Sequence, residues 1–220
     1  MAPIIPMTTD ARQLLLLLTW MSPAFPTGAF AYSHGLEWAI DSGTVRNAQD
    51  LKGWIGDLIT RGSGWNDAVL FARCWEEEAS NLNALALALA TSRERHLETT
   101  QLGRAFRIAA GVFAAPALDD EEIAYPIAAG SACASMGIDR TQALLAWLQG
   151  FAASLTSVAV RLVPIGQTAG LEVLRDLAPV ISATATRAEA ASLDDLGAIT
   201  LLADIAAMHH ETQRSRVFRT

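Results

Sequence analysis

Three features of the chain predict an all-α fold, a single-domain bundle of about eight to ten helices. Alanine and leucine, strong helix formers, are abundant, with alanine concentrated in Asn83–Thr91 and Thr184–Ala198. Runs of Val, Ile, Thr and aromatics that would build strands are nearly absent. From Thr141 to Val160 the chain is uncharged and carries a one-sided stripe of Leu144, Leu148, Phe151, Leu155 and Val158, continued by Leu162. Such a stripe belongs to a central helix of a soluble bundle rather than to a span through lipid. The chain has 220 residues, 51% of them apolar, enough to bury one sizeable core.

Residues 1–9 are expected to be flexible, with the helical domain over 10–208 and a tail over 209–220. Asp10 can cap a helix over Ala11–Met21 that Pro23 stops. The run Leu14–Leu18 after Arg12 imitates a signal-peptide core. Cleavage near Ala29 or Ala31 would split the most structured-looking segment of the chain, so the run reads as helix. A Pro/Gly-broken, aromatic-rich segment follows, and a second helix is expected over Ser33–Asp41, closed by Asp41-Ser42-Gly43. Asn47 caps the third, with Asp50 as a capping-box-like partner and Leu51, Trp54, Ile55, Leu58 and Ile59 as its buried stripe. After the Gly62-Ser63-Gly64 break, a helix runs from Asn66 or Asp67 to about Glu78. Asn81–Thr91 and Ser92–Ala110 give two more helices or one bent one, and Asp119–Glu122 form a solvated acidic loop. Tyr125-Pro126 opens a short helix to Met136. Asp139 caps the striped helix, which Pro164 and Gly166 end. A further helix covers Thr168 to Ile181 and can extend to Arg187. The last starts at Asp194 or Asp195, with Ile199, Leu202, Ile205 and His209 on one face.

The absences narrow the function. The formal net charge is −7, against a nucleic-acid partner. There is no GxxxxGK[ST] phosphate loop, GxSxG elbow, GxGxxG, HExxH or zinc-spaced Cys/His set. Cys74 and Cys133 read as reduced, buried small residues of a cytoplasmic protein. One lysine stands against fifteen arginines. That bias fits either genomic base composition or a contact surface built on guanidinium forks.

Four histidines are the remaining candidates for chemistry. His34 and Glu37, three apart, would share a helix face, the start of a metal or acid–base pair that lacks further ligands. His96, among Arg93, Glu94, Arg95 and Glu98, reads as part of a solvated, salt-bridged face. His209 and His210 point about 100° apart on a helix; His210 and Glu211 reach Arg214 and stiffen the helix end. The alternative is a contact surface, with Arg214, Arg216 and Arg219 around an apolar anchor of Val217 and Phe218. Arg161 either caps its own helix or makes a fork across an interface. A helical metalloenzyme using His34, Glu37 and His209 or His210 is the competing function.

Several stretches, in order, resemble the UreF family of urease accessory proteins. They are Ser22-Pro-Ala-Phe-Pro-Thr-Gly-Ala-Phe-Ala-Tyr-Ser-His-Gly-Leu-Glu37, Asn66-Asp67, Ser92-Arg-Glu-Arg95 with Gln101-Leu-Gly103, Ser157-Val-Ala-Val-Arg-Leu-Val-Pro-Ile-Gly-Gln-Thr168, and His210-Glu-Thr-Gln-Arg-Ser-Arg-Val-Phe-Arg219. Ala124 stands where the family often has His, and Thr220 where it usually ends in Ser. The resemblance implies an all-helical, non-catalytic protein without cofactor or metal of its own. It implies a chaperone-like adaptor in nickel- and GTP-dependent assembly of the urease metallocentre, joining UreD (also called UreH), recruiting the GTPase UreG, and able to dimerise. UreG, not this chain, would then bind GTP and nickel on the way to the urease apoprotein. The residues expected to meet partners are Phe30, Tyr32, Ser33, Gly35, Glu37, Glu94, Arg161, Gln167, His210, Glu211, Arg214, Arg216 and Phe218.

Overall fold

A computed structural model describes residues 11–113, 115 and 122–220. The expected flexible start and most of the acidic loop (119–121) lie outside the described residues. Among those described there are ten α-helices and no strand. They are α1 (Ala11–Trp20), α2 (Leu36–Asp41), α3 (Ala48–Arg61), α4 (Ser63–Arg73), α5 (Ala79–Ala88), α6 (Arg93–Ala110), α7 (Tyr125–Ser135), α8 (Arg140–Leu162), α9 (Gly166–Ala190) and α10 (Leu201–His210).

The striped helix α8 is the hub: it packs along α9 and also touches α1, α2, α3, α4 and α7. Leu144, Leu148, Leu155 and Val158 are buried, and Phe151 and Leu162 pack at the edge of the core. By length and composition α8 could cross a membrane, but half of its most apolar window is buried in the bundle. Helix α3 buries all five residues of its stripe. Two caps form as read: the Asn47 side chain accepts from the Gln49 and Asp50 amides, and Asp139 from the Gln142 amide. Both cysteines are free; burial pushes the Cys74 thiol up to about 12, outside the reactive range.

Several boundaries differ from the expectation, each for a local reason. Helix α2 begins at Leu36, because the Ser33–Leu36 turn holds His34 and Gly35 at φ 58° and 75°. Positive φ at both central residues is the pattern of a primed turn and cannot continue as helix. Helix α4 starts at Ser63 and ends at Arg73, earlier than Asn66 or Asp67 to Glu78. Asn66 lies inside it and fixes a distant segment: its amide donates to the Ala198 carbonyl and accepts from the Gly197 and Ala198 amides. Helix α9 runs through Pro179 to Ala190. Asp194 and Asp195 form a separate 3-10 turn, and α10 starts only at Leu201.

Helix α10 turns its small side chains, not its large ones, toward the core. Ala203, Ala206, Ala207 and His210 point inward, whereas Ile199, Leu202, Ile205 and His209 are exposed. Alanines let α10 approach α2 closely: a Cβ on Gly35 would lie 2.7 Å from the Ala207 amide nitrogen. The same device sits in the Gln101-x-Gly103 motif, where a Cβ on Gly103 would come within 2.0 Å of the Ile123 carbonyl oxygen.

Candidate functional site

Helix α6 carries two glutamates in line with its apolar stripe, so that Glu94, Glu98, Leu102 and Phe106 all face inward. This is not the solvated face expected of Glu94, Arg95 and Glu98. A buried carboxylate needs donors or a counter-charge, and each of these finds both in distant parts of the chain.

Glu94 receives His210 Nδ1 at 2.7 Å and Arg216 Nη1 at 2.8 Å. The other ring nitrogen of His210 lies 3.2 Å from Glu37, so the fully buried imidazole is bracketed by two carboxylates. Glu37 also accepts the backbone N–H groups of Val217 at 2.7 Å and Phe218 at 2.9 Å. Its carboxylate is thus the seat of the C-terminal tail. The tail then pairs with the aromatic-rich segment: the Arg219 amide donates to the Ala31 carbonyl, and the Ser33 amide and hydroxyl both donate to the Thr220 backbone oxygen.

A second network lies one helical turn along α6. Glu98 takes the Thr220 hydroxyl at 2.9 Å, Arg95 at 3.0 Å and His34 Nδ1 at 3.3 Å, while Arg95 also faces Asp67 at 3.6 Å. Burial alone would push Glu98 upward, but the charges and hydrogen bonds of Arg95 and His34 outweigh it and bring it down to about 2. Asp67 shows the opposite balance: its burial exceeds the pull of Arg95, and its pKa is raised. Thr220 supplies the hydroxyl a terminal Ser would have offered. Ala124, in place of the frequent His, is fully buried at the start of α7.

The expected site residues therefore fall into two sets. Tyr32, Ser33, Gly35, Glu37, Glu94, His210 and Phe218 are buried in contacts within the chain. Tyr32 donates its hydroxyl to Gln101, and Phe218 sits in the core with the Arg161 guanidinium 4.4 Å from its ring centre. The tail was expected to bury Val217 and Phe218 on a partner; here Phe218 is its internal anchor and Val217 stays 71% exposed. Phe30, Arg161, Gln167, Glu211, Arg214 and Arg216 are exposed. Arg161 holds its own helix end, as its capping reading asked, and its other contacts lie within the chain. It bonds the Ser157 carbonyl in its own helix and reaches across to the Phe30 carbonyl and ring. Glu211 does not reach Arg214 along a helix, since α10 ends at His210; it accepts the Arg93 amide at the start of α6 instead.

A metal centre on His34, Glu37 and His209 or His210 has no basis in this geometry. His34 turns to Glu98 and to Ser63 at 2.5 Å, Glu37 serves the tail, and His209 stacks on Trp38 at 4.7 Å. Among the described residues no group of three or more His, Cys, Asp or Glu side chains is arranged to hold an ion. Sequence reasoning missed Glu98, Asn66 and Asp67 as organising groups. The available signal was the spacing of Glu94 and Glu98 in register with Leu102 and Phe106.

Fold and site together define an all-helical protein whose buried polar groups hold its own tail in place and leave an arginine-bearing surface outside. The UreF family model matches residues 45–178. The chain is 45% identical to the urease accessory protein UreF of Brucella ovis, over all of both chains. It is 47% identical to that of Roseobacter denitrificans, over 97% of this chain and 96% of the other. The UreF of Methylobacterium sp. is 45% identical over 94% of this chain and 88% of its own. The chain belongs to the UreF family of urease accessory proteins, which gives it a role in urease maturation.

Proposed function

We propose that the chain is a non-catalytic adaptor in nickel-dependent assembly of the urease metallocentre, bridging a UreD/UreH-type protein and the GTPase UreG. The observation that carries this reading is the docked tail. It joins two of the family's motifs, Phe30–Glu37 and His210–Arg219, into one surface that presents Val217, Arg214, Arg216 and Arg219 beside Phe30 and Arg161. Exposed apolar side chains among arginines suit recognition of another polypeptide, since guanidinium forks pair with carboxylates and aliphatic groups exclude water around them. The reading places the protein in the cytoplasm, acting on the urease apoprotein without nucleic acid, membrane, cofactor or metal of its own, and as a homodimer in the assembly.

Truncation after Met208 is a poor test, because it also removes His210 and strands Glu37 and Glu94. The clean test is Arg214→Glu with Val217→Asp, both on the outside of the docked tail. Co-expressed with its cognate partners, the wild-type chain is expected to be captured by the tagged UreD/UreH-type protein and the double variant to be lost from that complex. Equal capture of both refutes the tail assignment.

A further inference from the structure

We infer that the outer face of α6 is a second part of the docking surface, continuous with the tail, and that its occupant is an acidic protein surface among the urease maturation partners. The inference rests on the adaptor reading above and extends it to a helix outside the tail.

Opposite the buried stripe of α6, the residues Arg93, Leu97, Gln101, Arg104 and Ile108 recur at steps of four, four, three and four and are all exposed. Leu97 and Ile108 are 41% and 64% exposed, and Val112 just beyond the helix is 84% exposed. The Arg93 and Arg104 guanidinium groups have no carboxylate partner among the described residues. Three exposed arginines on α3, on α9 and just before α3 are paired by contrast: Arg61 with Asp57, Arg175 with Asp176 and Arg46 with Asp50. The tail joins this face through Arg219, whose Nη1 lies 3.5 Å from Gln101 Oε1. Glu211, an exposed carboxylate beside Arg93, accepts the Arg93 backbone amide.

A chain of net charge −7 has thus gathered cations that lack an ion pair among the described residues on one face, interleaved with aliphatic side chains. A cationic face on an acidic body attracts a local patch of carboxylates and orients it on approach. It does not suit a uniform polyanion. A nucleic acid or an anionic bilayer would meet the repulsion of the whole molecule, and the face offers aliphatic side chains where base stacking would need aromatic ones.

The test titrates the full-length Arg93→Glu/Arg104→Glu variant against the cognate UreD/UreH-type and UreG-type proteins at low and high salt. Neither side chain has an ion-pair partner among the described residues to lose, so circular dichroism and melting temperature should stay at wild-type values. Affinity for one partner should fall at least tenfold at low salt, and its salt dependence should flatten. Arg61→Glu/Arg175→Glu, the same charge change on α3 and α9, should bind as wild type. Wild-type affinity of the α6 variant for both partners overturns the inference while leaving the adaptor reading intact. An equal loss in the α3/α9 variant overturns it by showing a net-charge effect. Loss of binding to phosphatidylserine vesicles or an oligonucleotide, with protein partners unaffected, assigns the face to another occupant. Failure of the wild-type chain to bind any partner overturns both readings together.

Discussion

Replacing Glu37 by alanine should free the tail. The substitution removes the acceptor for the Val217 and Phe218 amides and for one nitrogen of His210, the last two in buried surroundings. Hydrogen bonds to a charged group contribute about 1.5–3 kcal/mol each, and breaking a buried pair costs about 3–5 kcal/mol. About 3 kcal/mol is therefore a lower working figure. Expressed as local opening, that is a rise of roughly two orders of magnitude in the population with the tail undocked. The Arg216–Val217 peptide bond reports it directly, because the Val217 amide is one of the two held by Glu37. Under conditions where opening is fast relative to cleavage, trypsin should cut there roughly a hundredfold faster in Glu37→Ala. Glu37→Gln keeps one acceptor oxygen and should fall between the two. If the tail and body melt as one unit, the loss appears as a fall in Tm of about 6–12 °C. Unchanged cleavage at Arg216 together with an unchanged Tm would refute the clasp.

Three further outcomes follow from the same contacts. Gly103→Ala should destabilise the fold by at least about 2 kcal/mol, because its Cβ meets backbone at Ile123 and Ala124, whereas Gly53→Ala, with open space around it, should stabilise α3 by about 1 kcal/mol; urea midpoints decide both. Glu98 is depressed from 4.5 to about 2, so its stabilisation is fully present above about pH 4.5 and is lost as pH falls toward 2. That loss is about 3 kcal/mol, offset in part by Asp67, whose raised pKa makes its protonation favourable to the fold; Glu98→Gln should flatten the acid limb of a stability–pH curve. Leu202→Ser on the exposed face of α10 should change stability by less than about 0.5 kcal/mol, while Ala206→Leu on its buried face should cost about 1–3 kcal/mol.

Where the sequence carried a periodic signal, the helix it implied is present. The stripe of α3 and the caps at Asn47 and Asp139 depend only on neighbours in sequence, and the structure matches them. The α2 boundary failed because a left-handed His34 cannot be read from helix spacing, though Gly35 beside it was a hint. The buried face of α10 is not legible from the sequence, because two faces compete in Leu201–His210. Its large apolar residues mark one, its alanines the other, and the close approach at Gly35 decides for the alanines. The candidate site was legible as a set of motifs but not as a constellation. Glu37, Glu94 and Glu98 look like surface acids until residues 210–220 return to them, and no local pattern records pairings across more than a hundred positions. Phe218 illustrates the limit: an aromatic among arginines suggested an anchor, and only the packing shows that its socket is in the same chain.

The most direct test of a role in urease maturation is genetic. A urease-positive cell whose own UreF gene is deleted is supplied with this chain, and urease activity and nickel content of the purified urease are measured in nickel-containing medium. Recovery of both, with this chain showing no turnover of its own, is the predicted result. Apo-urease persisting despite soluble, folded chain would contradict the account.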